Sequence, residues 1–335
     1  MTSEQLAWLI RRHGIEMTHR SHGSHIGAIL SVADIIAVLY TDVMRYKAED
    51  PAWKDRDRFI LSKGHAGAAI YAALAETGFF PVAELTTHYC NGSLLSGHVS
   101  HKVPGVDFST GSLGHGLGAA VGMAYAAKKD HDEGHMVFTV LGDGECDEGS
   151  VWEGALFANH FRLNNLIAIV DHNGMQSMDF SENTLELEDF AAKWRAFGWN
   201  VIQINGNDHA QLRSAFAKAK ELSRAPAHKP TVIIADTIKG FGVSFMHNDI
   251  LWHYRFPHDG WEYDTAVAEL HEKKPEGVED PYTPDGIPDP VLPCSWDDIR
   301  NDHTFTQSWK THYPEQMRRV TARSGSDETV HEVKP

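Results

Sequence analysis

The chain has 335 residues, which is enough for one large domain or two modest ones with a substantial core. Hydrophobic residues make up 42% and charged residues 23%, as in an ordinary soluble globular protein. The formal net charge of −16 argues against nonspecific binding to nucleic acid, because such binding relies on Lys and Arg to neutralise phosphates. The three cysteines, Cys90, Cys146 and Cys294, have no paired spacing, which argues against a disulfide framework and a zinc ribbon.

Residues 1–12 contain no apolar stretch long enough for a signal peptide. No window comes close to the roughly 20 apolar residues that a membrane span needs. We therefore expect a cytoplasmic protein without a membrane partner.

Five short apolar runs predict buried strands, because each is rich in β-branched or aromatic residues and is bounded by polar residues or glycine. They are residues 59–61, 136–141, 166–170, 201–204 and 232–235. Helical patterns lie between them; Leu212, Phe216 and Ala219 repeat at helical spacing after a cap at Asn207 or Asp208. Alternating strands and helices predict an α/β fold, an open and mostly parallel sheet with helices on both faces.

A helix is predicted to begin near Leu113, and it carries glycines at every fourth position, Gly114, Gly118 and Gly122. Each glycine weakens a helix by about 1 kcal/mol relative to alanine, so the stripe needs a physical reason. Close packing against another element is the favoured reason. Alternatively, free N–H groups of residues 110–114 at the helix N-terminus face a ligand.

The composition changes after Lys274, where proline becomes frequent among acidic residues. We predict a first domain over residues 1–274 and a Pro-rich acidic linker and tail over residues 275–335. Residues 274–293 are expected to be extended without a core. Residues 296–320 carry enough apolar groups to dock on a neighbouring chain or on their own domain, and residues 321–335 are expected to be disordered.

The sequence Gly142-Asp143-Gly144 follows a predicted strand directly. The carboxyl end of a strand is where an open α/β sheet binds ligands. Glycine lets the backbone approach a diphosphate, and the carboxylate can bind a hard cation that bridges its oxygens. An Asp-Gly pair is also common in turns, so this motif alone leaves both interpretations open.

Asn173 ends the next predicted strand and follows Asp143 by 30 residues. A strand–helix–strand unit takes about that length, so the two strand ends can lie side by side. Oxygens of Asp143 and Asn173, with phosphate oxygens, a backbone carbonyl and a water, would complete the octahedral shell that Mg²⁺ demands.

A Gly-Asp-Gly sequence followed about thirty residues later by Asn resembles the motif of thiamine-diphosphate enzymes, and the surrounding residues resemble transketolase. The similarity covers residues 11–270 and is to the N-terminal, diphosphate-binding domain. The pyrimidine-binding and C-terminal domains have no counterpart here, so the chain is similar to the shorter partner of two-chain transketolases. The resemblance implies thiamine diphosphate and Mg²⁺ (or Ca²⁺ or Mn²⁺) as cofactors.

Four of the 22 histidines stand in sequences similar to family motifs. They are His25 in Ser24-His25-Ile26-Gly27, His65 in Ser62-Lys63-Gly64-His65, His98 in Ser96-Gly97-His98, and His253 in Trp252-His253. The resemblance implies that these side chains line the channel to the reactive carbon, bind sugar hydroxyls and move protons. An imidazole with a pKa near 6.5 suits such shuttling.

The resemblance implies roles for further residues. Gly111, Ser112 and Leu113 would contact the aminopyrimidine of the cofactor. Gly142, Asp143, Gly144, Asn173, Lys239, His65 and His253 would contact the rest of it, and the Met175 carbonyl would join Asp143 and Asn173 on the metal. Glu148 matches an interface glutamate linked to proton transfer between paired sites. Lys239 could instead be a solvated loop lysine, and Glu148 an acid that the helix dipole favours.

The chain departs from the family pattern at several positions near the expected channel. Ser24 and Ile26 replace a glycine and a proline, and His115 replaces a glutamine. Tyr254 replaces the glycine that usually follows the Trp-His pair, and Tyr254 and Arg255 are bulky where a donor sugar would pass. These departures leave the identity of the substrate open, but they do not affect the prediction of the cofactor.

Three functional hypotheses follow. The first is the diphosphate- and metal-binding subunit of a transketolase that moves a two-carbon ketol unit from a ketose to an aldose. It would be active only with a C-terminal, pyrimidine-binding subunit, in a two-plus-two heterotetramer acting on sugars or sugar phosphates. The second is the α-subunit of a 2-oxo acid dehydrogenase, which the four histidines disfavour. The third is a non-catalytic regulatory subunit, which the intact metal motif disfavours.

Overall fold

The structure is a computed structural model, and it describes residues 1–129 and 135–282. Its five strands match the five runs expected from the sequence. They are β1 (Arg58–Leu61), β2 (Val137–Gly142), β3 (Leu166–His172), β4 (Asn200–Asn205) and β5 (Thr231–Asp236). All neighbouring strands are parallel, in the order β1-β2-β3-β5-β4. The predicted open parallel sheet is confirmed.

Nine α-helices surround this sheet in the described part of the chain. They are α1 (Ser3–Ser21), α2 (Ile26–Val38), α3 (Gly67–Glu76), α4 (Gly116–Lys129), α5 (Gly149–His160), α6 (Ser181–Thr184), α7 (Phe190–Ala196), α8 (His209–Ser223) and α9 (Trp261–Glu272). Helix α2 continues directly into one π-helical turn, Leu39–Val43.

Two separate hydrophobic cores confirm that helices cover both faces of the sheet. In β3, Ile167 and Ile169 pack into the core beneath α1, α2, α3 and α8, whereas Ala168 and Val170 pack into the core beneath α4, α5 and α7. Successive residues of a strand point to opposite faces, and a parallel sheet covered on both sides needs apolar residues at every position. This is why the strands read as continuous apolar runs.

The helix α2 corrects one expectation from the sequence. The stretch Ile26–Val43 is long and apolar enough, by length and composition alone, to cross a membrane, although no such window was expected. Most of this stretch is buried inside the protein, as in the core helix of a soluble protein. Its Asp34 is buried but paired, since both carboxylate oxygens accept hydrogen bonds from the Arg11 guanidinium at 2.9 and 2.6 Å.

The structure tests two further helix expectations. Helix α8 is capped by Asp208, one of the two expected residues, whose carboxylate accepts from the N–H groups of Ala210 and Gln211. Helix α4 begins at Gly116 rather than near Leu113, because Gly114 has a positive φ of 82°. The expected close packing of the glycine stripe is found at Gly114, where an added Cβ would lie 2.5 Å from Ser150 Oγ and 2.8 Å from Glu148 Cβ. It is wrong for Gly118 and Gly122, where an added Cβ would meet nothing within 4 Å among the described residues.

The residues after Lys274 return to α1 before the described part of the chain ends. Asp280 accepts from Arg12 Nε at 3.0 Å, and the Tyr282 hydroxyl lies 2.6 Å from His13 Nδ1. The chain up to Tyr282 therefore belongs to the same compact unit as the sheet. The domain boundary after Lys274 stays a prediction, since the docking segment 296–320 and the tail 321–335 lie outside the described residues.

The buried ion pair between α1 and α2 generates a stability prediction. Asp34→Ala leaves the Arg11 guanidinium buried and unpaired, and it also removes an acceptor from His209. We expect the unfolding free energy in urea to fall by about 3–5 kcal/mol. The control is Arg213→Ala, which breaks the half-exposed pair with Glu4 and should cost less than about 1 kcal/mol. Equal losses in the two variants would contradict this assignment.

Candidate active site

A cavity of about 230 Å³ lies at the carboxyl ends of the strands, and it gathers most of the residues expected from the sequence. Its predicted lining residues are His25, His65, His98, Gly111, Leu113, Gly142, Asp143, Gly144, Asn173, Met175, Lys239 and His253. The cavity also has lining residues that sequence reasoning missed: Ala28, Lys63, Glu145, Gln176 and Ser177. Tyr254, which was noted only as a departure from the family, lines it too.

Four histidines from four separate segments form one cluster in this cavity. The His25 ring centroid lies 5.2, 5.5 and 5.3 Å from those of His65, His98 and His253, respectively. His65 and His253 are 5.6 Å apart. The cluster is held through the backbone, because the N–H of His25, the residue before α2, donates to the carbonyl of His253 at 2.9 Å.

The hydrogen bonds of two histidines fix which ring nitrogen faces its neighbour. Lys239 Nζ lies 2.9 Å from Nδ1 of His253, and since an ammonium group only donates, this Nδ1 accepts. The proton of a neutral His253 ring is then on Nε2. Nδ1 of His25 similarly contacts the Ser24 hydroxyl at 2.9 Å.

Burial keeps these imidazoles neutral. It lowers the pKa of His25 to about 4, with His98, Lys239 and Lys63 lowering it further by repulsion. It lowers the pKa of His253 to about 3, again helped by Lys239. The pKa values of His65 and His98 are lowered by the same cause. At pH 7 the cluster can therefore both accept and donate hydrogen bonds to hydroxyl groups.

Two buried lysines place positive charge in the cavity. Lys239 is only 2% exposed, and its Nζ donates to the backbone carbonyl of Gln176 at 3.2 Å, so the alternative of a solvated loop lysine is wrong. Burial, and then repulsion from Lys63, lowers the pKa of Lys239 to about 8. Lys63 is also buried, and its Nζ donates to Asp171 at 2.5 Å. The sequence contained a signal for Lys63 that was missed, since this lysine lies in the family-like motif Ser62-Lys63-Gly64-His65, two residues after β1.

The expected metal ligands lie together because of the strand register. Gly142 pairs with Asp171, so Asp143 and Asn173 follow neighbouring strand ends. Asp143 accepts from the Ser181 hydroxyl at 2.7 Å, and burial raises the pKa of its carboxyl. A hard cation would offset the cost of burying this charge.

The donor set fits a metal that a diphosphate helps to hold. No group of three His, Cys, Asp or Glu residues within residues 1–129 and 135–282 could hold a metal ion by itself. Asp143, Asn173 and Met175 nevertheless line one cavity together with both buried lysines. One carboxylate, one amide and one carbonyl leave an octahedral shell to be completed by oxygens from a ligand.

Glu145 joins three loops around the cavity and was not foreseen. Its buried carboxylate accepts from the Ser62 hydroxyl, from Gly114 N–H at 2.8 Å and from Gly142 N–H at 3.1 Å. The Gly114 N–H is therefore not free to face a ligand, which corrects that expectation for this group. The sequence did indicate such a role for Glu145, because this acidic residue directly follows Gly144, near the end of a strand that is buried.

Three other residues lie away from the cavity. Ser112 is exposed and does not line it. Glu148 is the exposed N-cap residue of α5 and makes no side-chain capping bond, so its interface role stays a prediction. Arg255 forms an ion pair with Glu262 and stacks on Trp252 at 4.9 Å, which holds it outside the cavity lining.

The buried histidines generate a prediction on acid stability. Burial lowers the pKa of His25 and of His88 to about 4, whereas an unfolded histidine titrates near 6.5. As the pH falls from 6.5 to 4, the unfolded chain takes up protons that the folded chain does not. The contribution of these histidines to the unfolding free energy should therefore be fully present above pH 6.5. Below that pH the unfolding free energy should decline, by at most about 1.4 kcal/mol per pH unit for each histidine.

Urea unfolding between pH 4 and pH 8 measures this decline. His88→Gln, which lies outside the cavity lining, should make the decline shallower. A wild-type curve that is flat from pH 7 to pH 4.5 would contradict the burial of neutral imidazoles.

Comparison with known proteins agrees with this geometry. Residues 2–328 match the family model described as transketolase, thiamine diphosphate binding domain. The chain is 41% identical over 267 residues to the 6-deoxy-6-sulfo-D-fructose transketolase subunit of Clostridium sp. (strain MSTE9), covering 79% of this chain and 94% of that subunit. It is 38% identical over 263 residues to one subunit of the apulose-4-phosphate transketolase of Phocaeicola vulgatus, covering 78% of this chain and 92% of that one.

The fold is also similar to that of a full-length enzyme. The crystal structure of transketolase from Campylobacter jejuni superposes with a TM-score of 0.75 and 25% sequence identity. The match covers 97% of this chain but 50% of that one, so this chain spans about half of the full-length enzyme. These matches favour a transketolase over a 2-oxo acid dehydrogenase subunit. The chain therefore belongs to the transketolase family, thiamine-diphosphate-dependent transferases, and is similar throughout to their diphosphate-binding domain.

Proposed function

We propose that this chain is the diphosphate- and metal-binding subunit of a split transketolase that transfers a two-carbon ketol unit from a ketose to an aldose. The observation that carries the proposal is the single cavity in which the four-histidine cluster lies beside Lys63, Lys239 and the Asp143–Asn173 pair. One site thus contains lysines for an anion, oxygen ligands for a cation and imidazoles for sugar hydroxyls.

The chemistry of the cavity supports thiamine diphosphate with Mg²⁺, or with Ca²⁺ or Mn²⁺. Lys63 and Lys239 would stabilise the diphosphate, while Asp143, Asn173 and the Met175 carbonyl would hold the cation. When bound, thiamine diphosphate supplies the nucleophilic carbon for breaking and forming the carbon–carbon bond.

The histidine cluster would bind and deprotonate sugar hydroxyls. A neutral imidazole can take a hydroxyl proton on one nitrogen, and its low pKa favours returning that proton quickly. Lys239 holds Nδ1 of His253 as an acceptor, which leaves Nε2–H as the donor of that ring. The rings of His65 and His98 lie 5.2 and 5.5 Å from that of His25, close enough for these side chains to share the substrate oxygens.

The relatives support an anionic ketose as substrate. Two of them are named for a sulfonated fructose and for apulose 4-phosphate, and each is a subunit of nearly the same length as the matched region here. The partner would be a C-terminal, pyrimidine-binding subunit. Exposed apolar side chains near the cavity, Met178, Leu251 and Tyr254, support a partner surface there. The cytoplasmic location stays a prediction.

A second apolar surface supports a two-plus-two heterotetramer. It lies on α4 and α5, where Gly118 and Gly122 face open space and Leu156, Phe157 and Phe161 are exposed. A bare glycine stripe lets another helix approach closely, and exposed apolar patches on soluble proteins mark interaction sites. We propose that a second copy of this chain packs on this surface, beside Glu148 at the start of α5.

Activity and cofactor binding test the proposed function. With thiamine diphosphate, Mg²⁺, a phosphorylated ketose and an aldose acceptor, the lone chain should be inactive. It should become active with a transketolase C-terminal subunit from the same genome. Full activity of the lone chain would contradict the split enzyme, and an assembled but inactive complex would favour a regulatory subunit.

Calorimetry on the same complex tests the metal site. Asp143→Ala should weaken thiamine diphosphate binding in Mg²⁺ by at least about 10- to 100-fold, because even the partners of metal ligands contribute that much. Asp259→Ala, which removes an exposed carboxylate, is the control. Wild-type affinity in Asp143→Ala, with the metal removed by a chelator as reference, would exclude Asp143 as a ligand.

Light scattering tests the assembly. Leu156→Glu places a charge on the α4–α5 surface and should halve the mass of the complex, from two-plus-two to one-plus-one. Leu185→Glu is a matched control, because the two leucines are 57% and 58% exposed. An unchanged mass for Leu156→Glu would place the contact between copies elsewhere.

A further inference from the structure

Tyr254 forms the outer wall of the cavity and is used neither by the cofactor nor by the histidine cluster. The side chain is 62% exposed, whereas His25 and His253 beneath it are buried. Its ring therefore lies on the solvent side of the groups that would handle the sugar. We propose that Tyr254 is a specificity-determining residue that contacts the carbon chain of the ketose beyond the two carbons transferred; this rests on the proposed function.

The ring is anchored to the histidine cluster in a defined orientation. Its centroid lies 4.7 Å from that of His253 at an interplanar angle of 68°, and 5.9 Å from that of His25 at 60°. The backbone is fixed as well, since Tyr254 ends the short 3₁₀ helix Ile250–His253 and its N–H donates to Leu251. Both angles are those of edge-to-face packing, a preferred arrangement of aromatic pairs.

The phenol and the ring face are available to a ligand. Within residues 1–129 and 135–282, the Tyr254 hydroxyl makes no hydrogen bond to another protein group, and the aromatic rings that pack against Tyr254 are those of His25 and His253. Arg255, the adjacent bulky residue, is engaged by Glu262 and Trp252 and turned away. Of the two, only Tyr254 can meet a substrate in the cavity.

The surroundings of Tyr254 indicate which part of a sugar it would meet. Gln176 and Ser177, which also line the cavity, carry no charge. The two cationic side chains of the lining, Lys63 and Lys239, are almost fully buried, whereas Tyr254 faces solvent. This wall therefore suits the hydroxylated carbon chain of an open ketose rather than its anionic terminus.

Chain length is consequently the property that Tyr254 would discriminate. A three-carbon donor such as hydroxypyruvate delivers the same ketol unit but has no hydroxylated chain to reach the outer wall. Ketoses of four or more carbons would contact the ring. Removing the ring should hence affect long donors and spare the short one.

Steady-state kinetics on the assembled two-subunit enzyme test this inference. The donors are hydroxypyruvate, erythrulose and fructose 6-phosphate, and the variants are Tyr254→Ala and Tyr254→Phe. In Tyr254→Ala, KM for erythrulose and fructose 6-phosphate should rise by about tenfold, the effect of losing a small apolar contact, with kcat little changed. For hydroxypyruvate, kcat/KM should stay within about twofold. Tyr254→Phe keeps the ring and should retain most of the wild-type KM.

The matched control is Leu185→Ala. Leu185 is 58% exposed and does not line the cavity, so this variant should leave all three donors unchanged. Sedimentation of each variant with the partner subunit shows whether the substitution weakens assembly. This separates an effect on subunit docking from the loss of a substrate contact. A Tyr254→Ala variant that assembles normally and loses only long donors supports the inference.

Three results would overturn it. The first is an equal loss for all three donors, and the second is a weakened affinity for the partner subunit that accounts for the kinetic change. The third is a Tyr254→Phe variant as defective as Tyr254→Ala.

Failure of the proposed function can be distinguished from failure of this inference, because it shows as no turnover of hydroxypyruvate by the wild-type complex. Saturation-transfer NMR of erythrulose on wild type and Tyr254→Ala then reports the contact without turnover.

Discussion

The parallel register between β2 and β3 is the constraint on which the site depends. Pairing of Gly142 with Asp171 brings the residues after two neighbouring strands to one edge of the sheet. Asp143 and Asn173, separated by an entire helix in the chain, become neighbours for that reason. Parallel neighbouring strands need a crossover connection, and here a helix that covers the sheet supplies it. The proposed metal ligands and the two cores of the fold therefore arise from the same arrangement.

Buried carboxylates then connect this edge to the surrounding loops. Glu145 ties Ser62, Gly114 and Gly142 together, and Asp171 accepts from Lys63, Ser31 and Thr237. A buried charge is costly unless hydrogen bonds satisfy it, and each of these carboxylates has at least three donors. Because the donors come from distant segments, satisfying the carboxylates also fixes where the cavity walls lie.

The surface outside the cavity supports the proposal that this chain does not act alone. Exposed apolar side chains occur beside the cavity and on α4–α5, among other places, whereas two hydrophobic cores bury most of the others. The glycines Gly118 and Gly122 weaken α4 without a packing partner among the described residues. The proposed contact with a second copy of the chain would give those glycines a physical reason.

The sequence by itself determined the five strands, the parallel sheet and most of the cavity, including Asp143, Asn173 and all four histidines. The strands and the sheet follow from apolar runs that must be buried on two faces, and Asp143 and Asn173 follow from their positions after predicted strands. The four histidines follow from the resemblance of their surrounding sequences to transketolase motifs. Only the tertiary structure decided the rest. It buried Lys239, recruited Lys63 and Glu145, turned Arg255 away and left Tyr254 over the histidines. Side chains from distant segments met there, and no spacing along the chain specifies which of them share a wall.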